Sequence, residues 1–366
     1  MSVALDIGSH RIRSLRIDNG RLVARSRRSA FAVLPDSASH RQLLAQANVE
    51  FVTCDGGLLL LGDAAWEHAG LFHVRTRPLL LNGLIPEHDP VARQVLATIT
   101  DAVLPRASQP GEQCSLTIPG GSDLSGRASR ASVDFFTRLV ALRGYEPLIV
   151  PAPSGLILAE HVSHGFTGIG LVFGGSACEA VLAHCGVIVC HTRIDRGGDW
   201  IDEQLAETLG LVTWDSNGDR FLDTATSCRL REANATVGQA LSAAAASKLV
   251  AGMTRVDQQA NASEFVEVLG SSLNDLLHDT VREFAAELSR CRQAADLPQP
   301  FAFVCGGGLT QGPSFLSLLQ QALAAHRLPV EVQPPRVASG WPHTVTRGLL
   351  IAAELESQAA PQRRAA

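Results

Sequence analysis

Residues 168–199 read GIGLVFGGSACEAVLAHCGVIVCHTRIDRGGD, and their pattern decides the fold. Leu171 to Phe173 run into a small-residue turn, Gly174-Gly175-Ser176, Ala180 to Ala183 leave it, and Val187 to Thr192 return after Gly186. Apolar runs this short, bounded by glycine, are strand signals rather than helix signals. Two glycines and a serine leave backbone N–H groups uncovered, which makes either a nest for phosphate or an ordinary hairpin.

The same pattern stands at the start of the chain. Val3 to Ile7 is a strand, Gly8-Ser9-His10 a turn, Ile12 to Ile17 a second strand, and Asp18-Asn19-Gly20 a hairpin signal before Leu22 to Ala24. Two such units predict a duplicated α/β domain with a ligand cleft between the copies. A third feature, Phe301 to Cys305 followed by Gly306-Gly307-Gly308 and a helix opened by Pro313, sets bare backbone at a helix N-terminus.

Composition narrows the chemistry. With 366 residues, 46% hydrophobic and a net charge of −5, the chain has ample core and no basic excess to suggest nucleic acid. Lys248 is the only lysine among 31 Lys and Arg residues and follows Ser247, so a Walker-type Gly-Lys-Ser/Thr loop is absent. The kinase set fails for want of lysine and of Asp-Phe-Gly. The N-terminus has no basic segment and no apolar run approaches a membrane span, so a reduced cytoplasmic protein is expected. A metal site built from Cys185, Cys190, His184 and His191 is disfavoured, because strand alternation sends those side chains to both faces.

The order of the three glycine features resembles the actin and heat-shock chaperone ATPase superfamily, and the MreB-like bacterial actins in particular. LGDAAWEHAGLFHVRTRPLLLNGLIPEHDPVARQVLATI (Leu61 to Ile99), RIDRGGDWIDEQL (Arg193 to Leu205), FVCGGGLTQGPSFLSLL (Phe303 to Leu319) and TVTRGLLIAAE (Thr344 to Glu354) carry the likeness, which covers Val3 to about Glu354. It implies an actin-like ATPase fold of two ribonuclease-H-like α/β domains flanking a nucleotide cleft. The first would span 1–160, with a small variable subdomain at 33–75 read as irregular. The second would span 161–343, with a small subdomain at about 210–270. A closing helix at 344–356 would pack back on the first domain, before a disordered tail at 357–366.

The resemblance also implies a site. ATP or ADP with Mg2+ would lie against Asp6, Gly8, Ser9, His10 and Arg11, against Gly174, Gly175 and Ser176, and against Gly306, Gly307 and Gly308, with Asp6 holding the metal through water. Arg11 is either a phosphate partner or a solvated strand start. Where the family carries a second metal-holding acid this chain has Val172, and where MreB has a water-orienting glutamate it has Pro151, so weak or absent hydrolysis is expected. The acid and lysine of the adenine-side helix would fall on Ala235 and Gly238. The implied role is a cytoskeletal or scaffold subunit linked to cell shape, self-associating into filaments or oligomers, with cell-shape proteins or the inner face of the membrane as further partners. The alternative is an active chaperone-type ATPase or sugar kinase with rearranged catalytic residues. Trp66, Leu71 and Phe72 are either anchors for a partner or membrane, or core of the small subdomain. Asp215 to Asp219 reads as a turn, and Asp199 as the cap of a helix from Trp200 to Leu209.

Overall fold

The computed structural model describes residues 2–54, 56–120, 127–214, 218–236 and 260–365. Its contacts divide the chain into two units: Met1–Val150 with Thr213–Phe221 and Ala353–Ala366, and Pro151–Val212 with Leu222–Ala352.

In the first unit, β1 (Val3–Ile7), β2 (Arg11–Asp18) and β3 (Arg21–Arg28) form an antiparallel meander, and β1 continues in parallel to a later strand. Asn19 and Gly20 both have positive φ (49° and 74°), the conformation a two-residue hairpin demands. The next segment is a second, smaller sheet. It holds β4 (Ala30–Pro35), β5 (Val52–Cys54), β6 (Gly57–Leu61) and β7 (Arg77–Pro78) in the order β5-β6-β4-β7, with α1 (Ala38–Gln46) and α2 (Asp63–His68) between strands. Ala32, Leu34, Leu44, Leu58 and Leu60 close a core of their own. The expectation of an irregular stretch at 33–75 is therefore corrected: strands this short, one of them all leucine after its glycine, show no alternation to read. Phe72 packs against that core and sits edge-on to His40, and Arg28 stacks over Trp66 at 4.2 Å. Leu71 is 72% exposed.

α3 (Pro90–Val103) opens with Asp89 accepting from the Ala92 N–H at 3.0 Å and proline at the first position. β8 (Gln113–Thr117), α4 (Arg127–Leu142) and β9 (Glu146–Ile149) complete a five-stranded sheet ordered β3-β2-β1-β8-β9. Its edge strand β3 exposes Arg21, Arg25 and Arg27. Arg25 also donates to the Ala102 carbonyl near the end of α3.

The second unit repeats that sheet. After α5 (Ala152–Glu160) come β10 (Gly168–Phe173), β11 (Cys178–His184) and β12 (Val187–Ile194), then α6 (Gly198–Thr208). A short hairpin, β13 (Val212–Trp214) and β14 (Arg220–Leu222), nearly all of which is grouped with the first unit, leads to α7 (Thr224–Thr236). α8 (Ala260–Arg290), α9 (Arg292–Ala295), β15 (Phe303–Gly306), α10 (Phe315–Ala325), β16 (Arg336–Val337) and α11 (Thr344–Ala365) follow. The sheet order β12-β11-β10-β15-β16 matches the first, antiparallel through the meander and parallel beyond it. Ile169, Leu171, Phe173, Phe303 and Cys305 turn one face into the core under α6, α8 and α10. The other face meets α5 so closely that a Cβ on Gly170 would lie 2.8 Å from the Pro153 carbonyl.

Three details differ from expectation. α8 begins at Ala260, whereas the sequence by itself predicts this helix only from about Leu273 to Cys291; Phe265, Leu273, Leu276 and Leu277 keep helical spacing across a polar N-terminal stretch. The closing helix runs on through Ala365, past Ser357 where an unstructured tail was expected. α6 is preceded by Gly197 with no side-chain cap, and Asp199 lies in its first turn. The turn reading at 215–219 falls partly, and Gly238 wholly, outside the described residues.

Candidate functional site

Both glycine turns have one geometry. In the first, the Gly8 N–H donates to the Arg11 carbonyl at 3.0 Å, and a Cβ on Gly8 would lie 2.6 Å from that oxygen. In the second, the Gly174 N–H donates to the Ala177 carbonyl at 2.9 Å, and a Cβ on Gly174 would lie 2.9 Å away. Ser9 is buried, the His10 carbonyl accepts from the Ser29 N–H at 2.9 Å, and Arg11 pairs with Asp63 of α2 at 3.3 Å. In the second unit the carbonyls of Gly174 and Gly175 accept from the N–H groups of Gly198 and Asp199 at 3.0 and 2.8 Å. That docking is why α6 starts on glycine: a Cβ on Gly197 would stand 2.4 Å from the Gly175 oxygen. Ser176 is buried beside this joint.

The third feature comes to the same place within this unit. Gly307 has φ 104°, and a Cβ there would stand 2.2 Å from the Phe173 carbonyl, so the β15 turn lies directly on the end of β10. A Cβ on Gly306 would stand 3.0 Å from Leu156 of α5. Gly308 instead faces a cavity of about 140 Å³. Ile201 of α6, Arg231 and Ala235 of α7, Gly270 and Leu273 of α8 and Leu318 of α10 are among its walls. It is mostly apolar, with roughly ten times the room one water needs. Its charged wall is fixed. Asp202 accepts two 2.7 Å bonds from Arg231, and although burial works against the cation, the carboxylate outweighs it and raises the pKa of Arg231.

Residues 1–353 match the volactin family. The chain belongs to it. No curated protein matches this volactin-family chain by sequence. Its fold is that of the bacterial actins. A structure titled "MamK double helical filament" superposes with a TM-score of 0.63 at 14% identity, covering 97% of this chain and 99% of that one. MreB5 of Spiroplasma citri bound to ADP gives 0.59 at 15% identity, and MreB 5 of Spiroplasma citri bound to AMPPNP gives 0.61 at 14%, each covering 98% of both chains. Among the described residues, no helix is long and apolar enough to cross a membrane.

The lining of the second unit of the volactin chain is chemically suited to a nucleotide base: a mostly apolar cavity adjoins the Gly308 turn and has Gly270 and Gly312 among its walls. A magnesium ion fits poorly. Val172 has no group to bind metal-bound water, and Pro151 stands at the N-cap of α5 with no side-chain hydrogen bond. Asp6 is paired with Arg13 on the neighbouring strand at 3.1 Å. One carboxylate was missed in the sequence. Glu179 on β11 stands directly opposite Val172, and cross-strand partners share a face. It is buried and paired with Arg193 at 3.1 Å, with His191 at 3.7 Å. The short turn at Gly174 to Ala177 was signal enough to count that register. Cys190 belongs to the core, and burial pushes its thiol up to about 12, whereas Cys185 is exposed at the hairpin tip.

Proposed function

We propose that this chain is a nucleotide-binding, actin-type subunit that self-associates and hydrolyses nucleotide slowly or not at all. The cavity between α7, α8 and the Gly308 turn carries this reading, because its walls are apolar and it opens beside a glycine cradle. The bacterial actins that share the fold include forms bound to ADP and AMPPNP and a double helical filament, which supports both halves of the proposal. Slow hydrolysis follows from Val172 and Pro151, since loss of a positioned general base alone costs about 10²–10⁴-fold.

The test fills the cavity without disturbing the fold. A Cβ on Gly270 meets nothing within 4 Å, so Gly270→Phe places a ring in open space and removes a helix-interior glycine. ADP and AMPPNP should raise the melting temperature of the natural chain and leave that of Gly270→Phe unchanged. Light scattering with AMPPNP should show concentration-dependent growth, and phosphate release from ATP should stay near background. No thermal shift with any nucleotide would sink the reading.

A further inference from the structure

We infer that this chain binds its nucleotide without need of a divalent cation, because the carboxylates beside its glycine turns are already neutralised by arginine. The inference rests on the nucleotide reading above.

The observation is a pairing made twice. In the second unit the carboxylate beside the glycine turn, Glu179, is held by Arg193 one strand away at 3.1 Å. In the first unit, Asp6 is held by Arg13 one strand away at 3.1 Å. The four side chains are only 11–15% exposed, so water and salt screen these pairs weakly. Hydrated Mg2+ is held by anionic carboxylates together with phosphate oxygens. A carboxylate already in a charge-assisted bond to arginine offers a cation no net charge and has a positive neighbour. Position 172, opposite Glu179, offers valine. Arg193 also reaches Asp195 at 2.7 Å, but Asp195 is 76% exposed and its charge is carried by water.

The experiment is calorimetry of the full chain with ADP and with AMPPNP, in excess Mg2+ and in EDTA. The dissociation constant should agree between the two buffers within about threefold, a change that altered screening alone can produce. Arg193→Gln releases the Glu179 carboxylate within the same unit, and Mg2+ should then tighten ADP by about tenfold, the scale of one charged hydrogen bond. Arg193→Lys keeps the charge and should remain indifferent to Mg2+. Binding by the natural chain that weakens tenfold or more in EDTA, but is still abolished by Gly270→Phe, overturns the inference and leaves the nucleotide reading intact. So does a lack of metal dependence in Arg193→Gln. No binding in either buffer overturns the reading and the inference together.

Discussion

His161 closes α5, and acid should act on the second unit through it. Its ring is wholly buried, and neither ring nitrogen has a hydrogen-bond partner. Burial, reinforced by nearby Arg336 and His164, pushes its pKa from the ordinary 6.5 down to about 4, while Glu160 and the Thr167 backbone pull weakly the other way. The folded chain thus refuses a proton that the unfolded chain accepts. Between pH 6.5 and about 4 the unfolded state binds more protons, so stability falls as pH falls through that window. The full shift corresponds to about 3 kcal/mol, of which about 2 kcal/mol is lost between pH 7 and 5. His161→Leu keeps a similar volume and removes both orphan nitrogens. Urea unfolding at pH 7, 6 and 5 should show the variant gaining on the natural chain by about 2 kcal/mol across the series. Other groups titrate alike in both proteins, so the difference isolates the ring. A gap that stays flat from pH 7 to 5 would refute the reasoning.

Gly307→Ala should lower stability by at least about 2 kcal/mol, since it combines a left-handed φ with a collision against the Phe173 carbonyl. Gly308→Ala, whose Cβ meets Trp341 at an ordinary 3.8 Å, should change it by no more than about 0.5 kcal/mol, and differential scanning fluorimetry of the two separates them. Asp202→Asn leaves the Arg231 guanidinium buried beside a neutral partner, at a cost of about 3–5 kcal/mol measurable by urea titration.

The duplicated sheet was legible in the sequence because glycine marks each turn where a Cβ would strike a carbonyl, and β-branched runs between the marks have little else to form. Gly8, Gly174 and Gly307 are all such positions. The small sheet at 30–61 was not legible, because β5 has three residues and β6 is leucine throughout after Gly57. Glu179 was passed over for a different reason. A residue's neighbours across a strand pair depend on register, and seven positions separate Glu179 from Val172 along the chain while none separates them across the ladder. Asp199 was misplaced because a side-chain cap was sought where α6 instead uses the carbonyl groups of another turn as its docking surface.

The arginines of β3 bear on what that sheet edge can pair with. An open strand edge can pair with the edge of any other chain that presents one. Two β3 edges meeting antiparallel would bring Arg21, Arg25 and Arg27 of each copy together, six positive charges along a few residues of strand. Backbone pairing of two copies along this edge is thereby penalised. The edge acts as a fender: it lets copies come close without letting them fuse along their backbones.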